Sequence, residues 1–119
     1  MHSKEKKLKK YLDTLWAKLV KKRDGDTCQW CGKTKNLAAD HIFSRKVNVT
    51  RWVVGNGITL DAGCHIFKKR YEPMLWALMV AKHVKPKQLK ELEILHKSAK
   101  KVDLEATKKE LEGMINDKS

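Results

Sequence analysis

Apolar residues recur at helical spacing near the start of the chain. Leu8, Tyr11, Leu12, Leu15, Trp16 and Leu19 fall at i, i+3, i+4 and i+7 within residues 3–22, with lysines filling the other face. The pattern predicts an amphipathic helix that stops near Gly25, inside an Asp-Gly-Asp sequence. Cys28-Gln29-Trp30-Cys31-Gly32 then reads as a tight knuckle, the glycine letting the backbone turn. Two short apolar stretches, LAADHIF from Leu37 to Phe43 and Gly57-Ile58-Thr59-Leu60, read as antiparallel strands, with the basic loop SRKVNVTRWVVGN between them. Asp61 can N-cap a helix that runs through Cys64, His65, Lys68 and Lys69 to about Tyr71. Pro73 fits the first turn of a further helix, MLWALMVAKHV, whose apolar residues run nearly all round and predict burial or a partner interface. Pro86 opens KQLKELEILHKSAKK, and Asp103 can cap LEATKKELEGMIN. Their stripes (Leu89, Leu92, Leu95; Leu104, Leu111, Ile115) predict a helical hairpin or a dimer contact.

Composition narrows this to one small domain. A chain of 119 residues with 41% apolar content can build a modest core, for which a structural metal is a plausible staple. No apolar run reaches the roughly 18 residues of a membrane span, and MHSKEKKLKK lacks the apolar stretch of a signal peptide, so an intracellular protein without a membrane is expected. Three cysteines in a reducing compartment point to metal or redox chemistry rather than a disulfide framework. The net charge is +13. Residues 1–23 carry nine basic and two acidic side chains, residues 24–86 ten and five, and residues 87–119 eight and seven. The excess therefore sits on the first helix and around the cysteines, where it favours a polyanion such as DNA or RNA over a membrane surface.

Chemistry concentrates in three places. The Cys28–Cys31 knuckle supplies two ligands of a tetrahedral Zn²⁺ site, and Cys64 is a third. The fourth is open: a carboxylate oxygen of Asp61, three residues before Cys64, or a water, or Asp26. Asp61 can equally be a plain helix cap, or combine both roles. Asp40-His41, at a strand end, pairs a hard oxygen that suits Mg²⁺ with an imidazole that can take a proton from water. Adjacent strand residues point to opposite faces, so the two share a site only if the strand ends or bends there. Asn56 precedes Asp61 by five residues, Cys64 by eight and His65 by nine.

With these residues in place the chain resembles the HNH endonuclease family, whose treble-clef or ββα-metal module reads Cys-x-x-Cys, Asp-His-Ile, Asn, then Leu-Cys-x-x-Cys-His. The matching residues are Cys28 and Cys31, Asp40-His41-Ile42, Asn56, Leu60 and Cys64-His65, within residues 27–71. The resemblance implies an α+β fold: a small ββα-metal core with a zinc knuckle over residues 26–72, a basic amphipathic helix over 1–25 packed on it, and C-terminal helices over 73–119. It implies His41 as general base, Asp40 and His65 as ligands of one catalytic Mg²⁺ or Mn²⁺, and Asn56 as the residue that orients His41. Zn²⁺ would be structural, held by Cys28, Cys31, Cys64 and, where the family pattern has its third cysteine, Asp61. Arg45, Arg51, Lys68 and Lys69, with Arg70, would clamp flanking phosphates. The stretch SRKVNVTRWVVGNGITL is similar to phage-encoded members of the NinG/Rap type, which act on branched DNA; that likeness implies the host cytoplasm.

The reading that follows is a metal-dependent nuclease that nicks or cuts DNA, with the 73–84 helix or the C-terminal helices offering a surface for a homodimer. A second reading is a non-catalytic treble-clef nucleic-acid-binding module, which has no need of Asp40, His41, Asn56 and His65 together. A third, an adaptor built on the C-terminal helices, leaves the charge of the first 86 residues unexplained. His83 and His96 are expected to be packing or surface residues, and Trp30 and Trp52 to be core or to stack on unpaired bases.

Overall fold

Two antiparallel strands, β1 (Leu37–His41) and β2 (Gly57–Asp61), lie at the centre of the computed structural model, which describes residues 2–116 apart from the side chains of His2 and Lys68. The register pairs Leu37 with Asp61 and His41 with Gly57. A two-stranded sheet is marginal by itself, and here each face is covered. Helix α1 (His2–Arg23) lies against both strands on one side. On the other side Ile58 and Leu60 join Cys28, Cys64 and the helix α4 (Pro73–His83) residues Met79 and Val80 in a first core. All five residues of β2 are buried, as expected of a strand packed on both faces.

The second core belongs to α1. Leu12, Leu15, Trp16 and Val20 pack with Trp52 and with Leu111 of α6 (Leu104–Asn116). Burial of such side chains is worth about 1.5–3 kcal/mol each. The close approach of α1 to β2 requires Gly57: a Cβ there would stand 2.5 Å from Val20 and 2.6 Å from Trp16. Arg23 fastens the end of α1 by donating to the carbonyls of Val54 and Gly57. The outer edge of β2 is also occupied. Asp24 accepts the Thr59 N–H at 2.9 Å and Gln29 donates its backbone N–H to Thr59 O at 2.9 Å, which seats the knuckle beside the strand.

The loop between the strands is more ordered than its composition suggests, holding the short helix α2 (Asn48–Arg51) and a 3-10 turn at Val54–Asn56. After β2 comes a π-helical turn, Cys64–Lys68, which continues into α3 (Lys69–Tyr71). Helix α5 (Pro86–Ser98) and α6 do not form the expected hairpin: α6 packs on α1, and α5 packs on α2 and the 3-10 turn. A leucine stripe says that a face is buried, not against what. The all-round apolarity of α4 likewise divides into a buried face, Met79 and Val80, and an exposed one, Met74, Leu75 and Leu78. Gly57→Ala should lower stability by about 2 kcal/mol through overpacking, read as a lower urea midpoint with unchanged slope.

Candidate functional site

Cys28, Cys31, Asp61 and Cys64 converge where the knuckle meets the end of β2. One donor atom from each lies within 4.8 Å of all the others, a cluster that could hold a metal ion such as zinc. Each ligand is placed by local structure. Cys28 N–H bonds Lys33 O, and Gly32, at φ +82°, bonds Cys28 O, so the knuckle closes on itself. Asp61 ends β2, and its Oδ1 accepts the Cys64 N–H at 3.1 Å, an N-cap bond. Its other oxygen, Oδ2, faces the Cys31 thiol. Asp61 is thus at once the cap of the following turn and a member of the cluster, and Asp26 is not part of it.

The electrostatics of the cluster match these contacts. The Cys31 thiol, aided by the Cys64 N–H, holds the Asp61 carboxyl far below its ordinary value despite burial. Burial, then the neighbouring thiols and Asp61, push the Cys64 thiol up strongly. Cys31 is raised chiefly by its bond to Asp61. Thiols must lose their protons to bind a metal, so loading releases protons and weakens as pH falls.

A second group forms across β1 from α1. Asp40 is 6% exposed, and its Oδ1 accepts the His41 N–H at 3.0 Å and Lys69 Nζ at 2.9 Å. Oδ2 lies 2.8 Å from Lys69 Nζ and 3.3 Å from His65 Nδ1. Neither of these contacts has the direction of a hydrogen bond, so this buried oxygen is close to positive charge yet unsatisfied as an acceptor. A carboxylate oxygen of this kind beside an imidazole is a donor set that fits a divalent ion. Cys64 and His65, adjacent in the π-helical turn, face different partners: the thiolate cluster and Asp40.

His41 leaves β1 in the other direction, as strand alternation requires. Its ring stacks on Trp16, with centroids 4.0 Å apart and 10° between planes. Nε2 lies 2.9 Å from Arg51 O; a carbonyl only accepts, so Nε2 carries the proton and Nδ1 keeps the lone pair. Burial lowers the pKa of the imidazole from its ordinary value, so the ring is neutral at neutral pH. Asn56, fully buried, fixes the surrounding chain. It donates to Phe43 O and Thr50 O, both at 3.0 Å, and accepts the Phe43 N–H at 2.7 Å. These bonds end β1 just beyond His41 and hold the loop whose Arg51 carbonyl meets the His41 ring.

The arginines are engaged within the protein. Asp13 of α1 accepts Arg51 Nε and Nη2 at 3.0 and 2.7 Å, Arg45 Nη2 at 3.2 Å and Trp52 Nε1 at 2.8 Å. Burial pushes Asp13 up, but the bonds from Arg51 and Trp52 outweigh it and hold the carboxyl below its ordinary value. Asp13 had no role in the sequence reading. The signal for it is an acid at the edge of the apolar stripe of an otherwise lysine-rich helix. Trp52, 4% exposed, is core, while Trp30 packs on the first core near Trp76. His96 bonds Thr50 Oγ1 at 2.8 Å and so anchors α5 to α2. The side chain of Lys68 lies outside the described residues, and Lys69 is spent on Asp40.

Comparison of the chain with family models, with curated proteins and with solved structures finds no match. The geometry therefore carries the functional argument. Asp61→Asn keeps a good cap but removes the anionic oxygen, and should weaken zinc on the order of tenfold or more, measured by competition with a chromophoric chelator. Unchanged affinity would leave Asp61 a cap alone.

Proposed function

We propose that the protein is a metal-dependent endonuclease of the HNH type that hydrolyses DNA phosphodiester bonds, built on a treble-clef core with zinc at Cys28, Cys31, Cys64 and Asp61. The observation that carries the reading is the Asp40–His65 pair, in which a buried carboxylate oxygen lacking a directional bond lies 3.3 Å from an imidazole nitrogen. Asp40 and His65 would hold Mg²⁺ or Mn²⁺, and such an ion supplies charge neutralisation at phosphate oxygens.

The remaining chemistry falls to the protein's own side chains. His41 would be the base, neutral at neutral pH with the lone pair on Nδ1; its ring leaves β1 on the face away from Asp40, so the two would meet one phosphate only around the strand end, just beyond His41. Asn56 is a positioning residue, since it bonds the segments on either side of the base rather than the reacting atoms. DNA is the favoured substrate because the charge excess lies on α1 and around the site. Branched DNA of the kind met in phage recombination is the narrower expectation, and the host cytoplasm the matching location. Among the described residues no helix is long and apolar enough to cross a membrane.

One observation favours the non-catalytic nucleic-acid-binding module. Asp40 is already neutralised by Lys69, as a merely structural carboxylate would be. Cleavage of supercoiled plasmid and of a labelled four-way junction, with Mg²⁺, Mn²⁺ or EDTA, separates the readings. Wild type should cut only with metal and His41→Ala should lose on the order of 10²-fold or more in rate. The acid limb of the rate should lie below pH ~6.5, because the depressed His41 pKa keeps the base unprotonated down to that range. The same burial makes stability that is present above the unfolded pKa drain away as pH falls through the depressed one. Binding without cutting under every metal would leave the module.

A homodimer is the partner arrangement the surface favours. Ile66, Phe67, Tyr71, Met74, Leu75 and Leu78 are 49–76% exposed and run along the π-helical turn, α3 and α4. At about 200 Å² per side chain they expose on the order of 700 Å², more than a typical monomer shows and close to one half of a standard interface. Sedimentation at tens of micromolar should give twice the 13.8 kDa chain mass, and Leu78→Glu should return it to monomer.

A further inference from the structure

Lys69 occupies the place on Asp40 where a divalent ion would bind. Its Nζ stands 2.9 Å from Oδ1 and 2.8 Å from Oδ2, straddling the carboxylate, and also reaches His41 O at 3.3 Å. A cation cannot approach the same two oxygens while the ammonium is there. We propose that Lys69 is an exchangeable counter-cation: it neutralises the buried Asp40 carboxylate at rest, yields its place when a divalent ion is taken up, and then binds a substrate phosphate. The proposal rests on the reading of Asp40 and His65 as ligands of that ion.

Three features of the site support exchange over a fixed ion pair. Lys69 satisfies only one oxygen of the carboxylate by a hydrogen bond, Oδ1 at 2.9 Å, and leaves Oδ2 without a directional partner although it lies 2.8 Å from the same ammonium. The Lys69 side chain is 32% exposed, so its ammonium has a path to solvent without displacing core residues. The way out is an open cleft lined by His65, Ile66, Lys69 and Arg70, where Arg70 adds a second positive charge. A lysine displaced into that cleft meets a phosphate oxygen beside His65, so the group that guards the empty carboxylate becomes one that positions substrate. Lysine suits both tasks because it is a flexible point charge without the fixed fork of arginine.

The alternative, an ion pair that merely ties the π-helical turn to β1, predicts the opposite sign. In that case loss of the ammonium loosens His65 and weakens metal binding. The experiment is a Mn²⁺ titration of the zinc-loaded full chain, with free Mn²⁺ read by electron paramagnetic resonance, for wild type, Lys69→Met, Lys69→Gln and Asp40→Asn. Methionine keeps an apolar stem against Trp76, and glutamine serves as the second neutral variant should methionine disturb folding. Under exchange, both bind Mn²⁺ on the order of tenfold tighter than wild type, while Asp40→Asn loses the site. Affinity equal to or weaker than wild type in both variants, with Asp40→Asn still losing the site, overturns the exchange and leaves the nuclease reading standing. If no variant shows Mn²⁺ binding that depends on Asp40, the divalent-ion site does not exist and both fall together.

Discussion

The two oxygens of Asp61 divide their labour, and the placement of the turn that follows β2 depends on that division. Oδ1 caps the turn that follows by accepting the Cys64 N–H, and Oδ2 faces the Cys31 thiol in the four-donor cluster. The strand end, the turn and the knuckle are therefore joined at a single carboxylate. A cysteine here would supply a softer and stronger zinc ligand but a poor cap. Aspartate gives the turn a fixed start, and that turn carries His65 and leads directly to Lys69. The position of the second group is set by the geometry of the first.

From the other face of the sheet, α1 acts as a wall. Gly57 admits it to van der Waals distance of β2, Trp16 lies under the His41 ring, and Asp13 gathers Arg45, Arg51 and Trp52. The Arg51 carbonyl that fixes the His41 tautomer is held in turn by the pairing of the Arg51 side chain with Asp13. A helix that could pass for a basic appendage thus orders the surroundings of the imidazole.

Much of this order was legible because it is local. The 3.6-residue stripe of α1, the knuckle and the two short strands follow from spacing within a dozen residues, and the Asp61 cap lies three residues from its partner. What was not legible is long in range or depends on side-chain torsions. Asp13 and Arg51 are 38 residues apart, and no spacing rule links an acid on a helix to an arginine in a loop. Lys69 reads as one of three consecutive basic residues, and only the wide π-helical turn shows which one meets Asp40. The sites of α5 and α6 were missed for a related reason: their stripes do not name the surface that receives them. For the cysteine cluster the sequence had left Asp61 as ligand, cap or both, with a water or Asp26 as other fourth ligands, and geometry makes it the cap and a member of the cluster that could hold a metal.

The settlement of the arginines has a consequence for the character of the protein's surface charge. Arg23, Arg45 and Arg51, three of the four arginines, direct their planar forks at the protein's own carbonyls and carboxylates. The outward charge is left mainly to lysines, whose ammonium groups bind phosphate without a preferred direction. Attraction of that kind holds a strand near the surface without fixing its register, and it fades steeply as salt rises. The surface of α1 thus offers charge without a fixed direction, while the forks that could impose one are turned inward.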